Sequence, residues 1–471
     1  MRRLLLSSLL FAAVSVPLQA AVDRTQKPAP APAPAASFPD YQTVTFPNGL
    51  KVFVIEDDRK PTVTFRLLIK GGSIHDGEKT ALAAFVATLL NRGTAKRDAA
   101  TFAAESDFIG MKLEGMAGMD AISVGAGGLT KYTPAILDLL TDAVLRPTFP
   151  AEQFAKEQRK ALSALEAEKQ EPEKLADKLA GKIVYGSHPY GAYRTPQTIR
   201  AITREDLVAY HQRFFAPNNA TLAIVGDVKS ADILPLVEKA FADWKKREIP
   251  PAEIPQPPEM KGLTVHLVDR PGSVQSNIMV CQPGPPRNSP DTAELNVVNA
   301  TLGGGFSGRL FQNLREKNAW TYGAYSAFGM NRLGGDFSAS AETRNEVTAL
   351  AIGEIVKEMN RLRNEPVPED ELTLQREYNV GNYLLSLENS ARIATRVQDI
   401  ELYGLPSDFY KTYARRMGSV TPAQVQELSK KYLSTDNLAV VVVGEAKEVK
   451  AGLEKLGKVV VYDQELKPVT Q

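Results

Sequence analysis

An internal repeat constrains this 471-residue chain more than any single motif does. Residues 202–228, ITREDLVAYHQRFFAPNNATLAIVGDV, match residues 420–446, VTPAQVQELSKKYLSTDNLAVVVVGEA, without a gap, so that Thr203 faces Thr421 at an offset of 218 positions. Each copy predicts a helix that begins at a threonine cap, followed by a polar turn and an apolar strand that ends at glycine. A chain of this length is also too long for one ordinary core. The repeat therefore predicts an α+β (mixed α/β) protein of two homologous domains with approximate two-fold symmetry.

Proline-rich stretches indicate where these domains begin and end. Residues 27–36, KPAPAPAPAA, are typical of an extended spacer, and we expect residues 21–40 to be disordered. Residues 249–259, IPPAEIPQPPE, predict a semi-rigid linker because proline restricts the backbone. The two domains are therefore expected to span residues 41–248 and 260–463.

The N-terminus has the pattern of an export signal. Arg2 and Arg3 precede an apolar run from Leu4 to Val16, and a cut after Ala20 would leave residues 1–20 as a signal peptide. A mitochondrial presequence is the alternative, but it should be amphipathic and rich in Arg and Ser throughout, and this segment is not. The apolar run is too short to span a bilayer comfortably, so we expect no membrane span in the mature chain. Because Cys281 is the single cysteine, an internal disulfide is impossible. An exported protein without disulfides and with a signal of bacterial type is expected in the periplasm.

The charge of the chain is nearly balanced, which bears on its partners. There are 56 basic and 55 acidic residues, for a formal net charge of +1, and no basic run stands out. Because nucleic-acid binding needs a concentrated positive surface, we expect no nucleic-acid partner.

Residues 71–98 contain a helix whose frame resembles the zinc helix of the inverted zinc peptidases, the pitrilysin-type family M16. In that family a Gly-Gly-Ser turn leads into a helix that carries H-x-x-E-H. This chain retains the apolar and turn positions of the frame, namely Leu82, Ala83, Phe85, Leu89, Leu90, Gly93 and Thr94. At the three functional positions it carries Ala84, Ala87 and Thr88. Two imidazoles four residues apart would bind one zinc ion and the glutamate would activate a water, whereas alanine can do neither and a lone threonine hydroxyl is a poor ligand.

The resemblance also implies a third ligand, a glutamate on a later helix. The matching stretch is RKALSALEAEK, in which Ser163 and Ala164 occupy the family's acidic pair. Glu166 and Glu168 lie close by, but they have no upstream ligands to complete. We therefore predict that Ala84, Ala87, Thr88 and Ala164 are the remnants of a degenerate zinc motif and that this chain binds no metal.

Residues 302–326, LGGGFSGRLFQNLREKNAWTYGAYS, resemble a different part of the same family, in which a helix R-L-F-x-x-L-R-E-K leads into a strand with a tyrosine. The match identifies Arg315 and Tyr322 as the family's Arg/Tyr pair. From the residues themselves, RLFQNLREK predicts a helix and AWTYGAYSAF an alternating strand. A guanidinium and a phenol that converge can hold a peptide carbonyl or a developing oxyanion. The alternative is an ion pair between Arg315 and Glu316 and a half-buried strand tyrosine.

These resemblances imply an M16-like (LuxS-like) fold in both domains and a division of labour between two chains. We expect the non-zinc subunit of a two-chain bacterial M16B peptidase, inactive alone and without a cofactor of its own. Its partners would be a peptide substrate and a zinc-bearing M16 homologue with intact H-x-x-E-H, to which it supplies Arg315 and Tyr322. A catalytically inactive scaffold or peptide-binding protein on the same fold is the alternative. A hydrolase with its own nucleophile is less favoured, since no Ser/His or Cys/His set is visible.

Overall fold

The structure is a computed structural model that describes residues 37–469. The predicted signal peptide and residues 21–36 of the predicted spacer lie outside the described residues. Within residues 37–469, no helix combines the length and the apolar character that crossing a membrane would require.

The first half of the chain builds a six-stranded sheet. Its strands are β1 (Gln42–Thr45), β2 (Lys51–Glu56), β3 (Thr62–Lys70), β4 (Lys112–Ala117), β5 (Ala121–Leu129) and β6 (Ala220–Gly226). Their order across the sheet is β1-β2-β6-β3-β5-β4, so β4 lies at one edge. β2 and β6 run parallel, and the other neighbours are antiparallel.

The second half builds a sheet of the same design. Its strands are β7 (Leu263–Asp269), β8 (Gln275–Gly284), β9 (Ala324–Asn331), β10 (Gly334–Arg344), β11 (Leu438–Gly444) and β12 (Val459–Tyr462). The order is β12-β7-β11-β8-β10-β9, which places β9 at the edge that corresponds to β4. The halves differ at the opposite edge, because β1 is antiparallel to β2 whereas β12 is parallel to β7.

Helices follow the strands in the same sequence in both halves. The first half contains α1 (Leu82–Leu89), α2 (Ala99–Phe108), α3 (Thr133–Leu145), α4 (Ala151–Glu168), α5 (Pro172–Tyr185), α6 (Pro196–Ala201), α7 (Arg204–Phe214) and α8 (Ser230–Ala240). The second contains α9 (Thr292–Leu302), α10 (Arg309–Phe311) continued by a π-helical turn (Gln312–Lys317), α11 (Thr348–Asn364), α12 (Glu369–Ser386), α13 (Ser390–Tyr403), α14 (Phe409–Gly418), α15 (Pro422–Tyr432) and α16 (Ala446–Leu453). Single 3-10 turns occupy Ser73–His75, Thr130–Tyr132, Pro189–Gly191, Pro217–Asn219 and Asn345–Val347. The predicted mixed α/β class with two homologous halves is confirmed.

The repeat is visible in the helix caps. The side chain of Thr203 accepts the backbone N–H of Asp206 at the start of α7, and the side chain of Thr421 accepts that of Gln424 at the start of α15. In both caps the side-chain oxygen of the third residue accepts a hydrogen bond from the threonine N–H, which completes a capping box. The strands β6 and β11 that follow are fully buried and end at glycine, as predicted.

The two halves exchange a helix. α5 of the first half packs against β8 and β11, whereas α13 of the second half packs against β3 and β6. These helices are repeat counterparts, because each boundary of α13 lies 218 positions after the same boundary of α5. Gln398 on α13 is fully buried and donates to the carbonyl oxygens of Arg66 (2.8 Å) and Thr221 (2.9 Å) of the first sheet. Each half therefore relies on the other for part of its core, and residues 37–469 form one compact unit.

The segments predicted as spacer and linker differ in the structure. Residues 249–259 form neither helix nor strand and lie between the segments that supply the two sheets. At the other segment, Phe38 is only 2% exposed and stacks on Tyr410 with ring centroids 5.5 Å apart. Asp40 also pairs with Lys411 at 2.5 Å. The end of the predicted spacer is therefore ordered, because Phe38, which follows the Pro-Ala run, packs into an apolar site on the second half.

Candidate active-site clefts

The helix with the degenerate zinc motif, α1, is held at its start by a buried carboxylate. Asp76 accepts hydrogen bonds from the backbone N–H groups of Ala81 and Ala83, both at 2.9 Å. These are two of the donors that a helix N-terminus leaves without an intrahelical partner. Ala81 adopts a left-handed conformation with φ of 93°, a region that an alanine rarely occupies.

Three of the four degenerate positions face one cleft between α1 and α4. Ala84 and Thr88 from α1 and Ala164 from α4 are exposed and line a cavity of ≈ 240 Å³. Ala87 is the exception, because its side chain is 2% exposed and does not line this cavity. A β-carbon on Gly115 of β4 would lie 2.1 Å from the carbonyl oxygen of Ala87, so helix and strand touch through their backbones.

The side chains around this cleft do not fit a zinc ion. Where the family has imidazole and carboxylate, Ala84, Thr88 and Ala164 offer two methyl groups and one hydroxyl. Among residues 37–469 no group of three His, Cys, Asp or Glu side chains is placed to hold a metal.

The nearby carboxylates are already paired with basic side chains. Glu157 pairs with Lys160 at 2.7 Å, and Glu168 pairs with Lys178 at 2.7 Å and also with Arg194. Burial alone would raise the pKa of Glu168, but hydrogen bonds from Lys178 and Arg194 outweigh burial and lower that pKa. These acids are therefore engaged in ion pairs, which involve the cleft residues Glu157, Lys160 and Arg194.

The structure places Arg315 and Tyr322 in the lining of a second cleft, of ≈ 580 Å³, at one end of the strands β8 and β10. Arg315 lies on the π-helical turn after α10, a feature that is frequent at functional sites. Leu310, Phe311 and Leu314 on the same element are buried, as the predicted helix requires.

The predicted position of Tyr322 on a strand is wrong. Strand β9 begins at Ala324, and Tyr322 lies in the bend before it with 88% of its surface exposed. The hydroxyl of Thr321 donates to the carbonyl of Gly323 at 2.7 Å and accepts from its N–H at 3.0 Å, which fixes this bend. The alternating pattern of the sequence extends through the bend, whereas the local hydrogen bonds of Thr321 hold residues 321–323 in a bend, so that the strand begins only at Ala324.

Arg315 has only weak partners within the protein. Its Nε lies 3.7 Å from Glu316, and the two side chains are 44% and 54% exposed. Exposed pairs of this kind contribute little to stability. The guanidinium also stacks 4.8 Å from the ring centre of buried Phe311, which orients it without occupying its donors. The ion pair with Glu316 therefore exists, but it leaves most of the guanidinium available to the cleft.

Sequence reasoning did not find two other residues of this cleft. Arg344 ends β10 and Gln275 begins β8, and these residues are paired in the sheet next to Arg315. No motif connects them to Arg315, because they meet only through strand register. They add a second guanidinium and an amide to the polar lining of the cleft.

Known proteins show the same combination of elements. Residues 51–194 match the family model "Insulinase (Peptidase family M16)", and residues 201–378 match "Peptidase M16 inactive domain". The chain is 26% identical over 396 residues to an uncharacterized zinc protease of Mycobacterium tuberculosis, covering 83% of this chain and 90% of that protein. It is 24% identical over 351 residues to an uncharacterized zinc protease of Bacillus subtilis, covering 74% and 84% of the two proteins.

Solved structures agree with this assignment. The structure of a peptidase M16 inactive domain from Pseudomonas fluorescens superimposes with a TM-score of 0.81 at 29% identity, covering 86% of this chain and 98% of that one. A protease from Helicobacter pylori shares the fold, with a TM-score of 0.80 at 20% identity over 86% of this chain and 99% of that one. With both halves matched by models of one family and the same two-sheet fold in solved relatives, this chain belongs to peptidase family M16.

Proposed function

We propose that this chain is the non-zinc subunit of a two-chain M16 peptidase and that Arg315 and Tyr322 act on a peptide held by a zinc-bearing homologue. Zinc, the activated water and the general base would all come from the homologue. The degenerate zinc motif of the present chain would serve only to fold its first half. We place this complex in the periplasm on the basis of the predicted signal peptide.

In this proposal Arg315 and Tyr322 bind the substrate peptide and stabilise the negative charge that develops on its carbonyl oxygen. A guanidinium presents several N–H donors in fixed directions, and a phenol adds one O–H donor. Donors that are already oriented stabilise negative charge as it develops on a peptide carbonyl oxygen, without having to reorganise. Arg315 is oriented by its contact with the ring of Phe311, and Tyr322 by the bend that Thr321 fixes.

One observation carries the proposal: Arg315 and Tyr322 line the same open cleft while their polar groups remain almost unused. Within the described part of the chain, the Tyr322 hydroxyl has no hydrogen-bond partner, and Arg315 has only the long contact with Glu316. An exposed tyrosine beside a weakly paired arginine contributes little to the stability of its own chain. Such a pair is better explained by a ligand or partner that approaches the cleft.

Reconstitution tests the proposal directly. The purified chain is mixed with a zinc-bearing M16 homologue from the same organism, and cleavage of a fluorogenic peptide is measured with the zinc content of each chain. We expect activity only in the mixture and zinc only in the homologue. Arg315→Ala should lower kcat/KM by about 100- to 1,000-fold, and Tyr322→Phe by about 100-fold.

Two matched variants control for the loss of a surface arginine or tyrosine. Arg415→Ala on α14 and Tyr378→Phe on α12 remove exposed groups outside the cleft and should leave kcat/KM unchanged. Full activity of the homologue alone, or an Arg315→Ala complex as active as the wild type, would rule the proposal out.

The emptied first cleft favours a second candidate, a catalytically inactive peptide-binding protein. Ala84, Phe85, Ala161 and Ala164 give this cleft an apolar lining that could hold a peptide side chain. This candidate predicts that the chain binds peptides but that its addition leaves the activity of every zinc-bearing homologue unchanged. The same reconstitution therefore separates the two functions.

A further inference from the structure

A polar cavity of ≈ 310 Å³ lies in the second half between α9, the edge strand β9 and α14. Phe328 of β9 lines it, and its polar groups come from Arg287, Asn296, Asn299 and Tyr413. The cavity shares no lining residue with the cleft of Arg315 and Tyr322. Its volume is close to the lower limit of about 300 Å³ that is usual for small-molecule sites.

Arg287 lines this cavity, and only part of its hydrogen-bond donors have partners in the protein. Its Nη2 donates to the hydroxyl of Tyr410 at 2.9 Å, and its guanidinium stacks 5.6 Å from the ring centre of Phe409. Among residues 37–469, Arg287 forms no ion pair, Asp399 acts on it only through space, and its Nε and Nη1 have no protein acceptor. The aromatic contacts hold the guanidinium in place, and its remaining donors are available to a ligand.

Two neighbouring side chains add further unused donors. The hydroxyl of Tyr413 accepts a hydrogen bond from Asn296 at 2.9 Å, which leaves its own proton without a partner. The side-chain oxygen of Asn299 accepts from Ser326 at 2.9 Å, and its amide nitrogen has no acceptor within the described residues. No Asp or Glu lines the cavity. The wall is therefore rich in donors and carries a positive charge.

The surroundings leave the charge of Arg287 only partly balanced. Asp399 accepts a hydrogen bond from Tyr410 at 3.1 Å and interacts electrostatically with three arginines, Arg287, Arg66 and Arg396. Arg396 stacks on Tyr383 at 4.8 Å, and its buried Nη1 has no hydrogen-bond partner. Asp399 is shared by three arginines, of which only Arg287 lines the cavity, so it balances the charge of Arg287 only in part. An anion is the natural complement, because buried charge is costly unless it is paired.

We propose that this cavity binds a small carboxylate, of the size of a free amino acid or of the last residue of a peptide. Arg287 would pair with the carboxylate, and Tyr413 and Asn299 would donate to its oxygens. Charge-assisted bonds of this type are stronger than neutral ones, and a guanidinium matches the two oxygens of a carboxylate. The site needs neither a zinc-bearing partner nor the Arg315 cleft, so it can be tested independently of the proposed function.

Calorimetric titration of the purified chain tests the site with dialanine, dialanine amide and N-acetylalanine as probes. We expect dialanine and N-acetylalanine to bind, and the amide to bind about 10- to 100-fold more weakly because it lacks the negative charge. Free alanine is titrated in parallel, and tighter binding of alanine than of dialanine would identify a free amino acid as the ligand. Equal binding of dialanine and its amide, or no binding of any probe, would overturn the proposal.

Variants locate the binding on the chain. Arg287→Gln should weaken dialanine by about 10- to 100-fold, and Tyr413→Phe, which keeps the ring, by about 2- to 10-fold. Arg415→Gln removes an exposed positive charge from α14, the helix that carries Tyr413, and should leave the affinity unchanged. Near-ultraviolet circular dichroism verifies that each variant is folded. If the folded Arg287→Gln and Tyr413→Phe proteins both bind dialanine with wild-type affinity, the ligand binds elsewhere and the proposal is overturned.

Discussion

Gly115 of the edge strand β4 lies directly against the backbone of Ala87 in α1, so that a β-carbon at position 115 would be 2.1 Å from the Ala87 carbonyl oxygen. Real β-carbons do not approach an oxygen so closely, and any side chain at Gly115 must push the helix away from the strand. The close contact fixes the position of the helix that forms one wall of the first cleft.

Gly115→Ala should therefore destabilise the protein. The extra methyl group meets backbone atoms that cannot rotate away, and we expect a loss of about 1–3 kcal/mol in the free energy of unfolding. Urea denaturation monitored by circular dichroism measures this change. Gly125→Ala is the matched control on the neighbouring strand β5, where a β-carbon meets nothing within 4 Å. Equal stability of the two variants would contradict the close contact.

Ala81→Gly should have the opposite effect. At a φ of 93° alanine is strained, and glycine occupies this region at no steric cost. We expect an increase of about 1 kcal/mol in the free energy of unfolding, after allowance for the greater entropy of glycine in the unfolded chain. Ala84→Gly, three residues further along the exposed face of α1, should instead cost about 1 kcal/mol. A loss of stability in Ala81→Gly would show that position 81 is not left-handed.

The geometry of the first cleft predicts that zinc binding can be restored. Because Ala84, Thr88 and Ala164 face one cavity, the triple variant Ala84→His, Thr88→His and Ala164→Glu should bind one zinc ion per chain. Calorimetric titration with zinc chloride measures the affinity. In the control variant Ser163→Glu replaces Ala164→Glu, which moves the carboxylate about 100° around α4 and should weaken zinc by at least tenfold. Equal affinities would mean that α4 does not face α1 as described.

Asp76 predicts a pH dependence of stability. Burial raises the pKa of Asp76 from 3.8 to about 6 in the folded protein, although the hydrogen bonds from Ala83 and Ala81 lower it in part. Since the folded state holds the proton more tightly, the stabilising contribution of this group is complete well below pH 3.8 and is lost as the pH rises through 6. The free energy of unfolding should lose about 3 kcal/mol from this group in total, of which about 2 kcal/mol falls between pH 4 and pH 6.

The variant Asp76→Asn isolates this contribution. It removes the titration, so the difference in unfolding free energy between the wild type and the variant should shift in favour of the variant between pH 4 and pH 6. Above pH 6.5 the difference should be constant. Urea denaturation at pH 4, 5, 6 and 7 gives these values. A difference that is the same at all four pH values would contradict the raised pKa of Asp76.

Local sequence signals predicted several parts of the fold correctly. The cap residues Thr203 and Thr421 and the apolar strands after them depend on contacts within a few residues, so the repeat was visible without a structure. The roles assigned to Arg315 and Tyr322 stay predictions. The prediction of a strand at Tyr322 was wrong because alternation alone does not show that the hydrogen bonds of Thr321 hold a bend before the strand begins at Ala324.

The sequence by itself determined that this chain has two related halves and that its zinc-helix frame lacks imidazole and carboxylate ligands. Both conclusions depend only on which residues occur and at what spacing. Only the tertiary structure decided that α5 and α13 cover each other's sheets and that Ala84, Thr88 and Ala164 share a cleft while Ala87 does not. It also decided that Arg315 and Tyr322 line one opening. These relationships join segments far apart in the chain, and packing between distant apolar faces leaves no local pattern in the sequence from which to predict them.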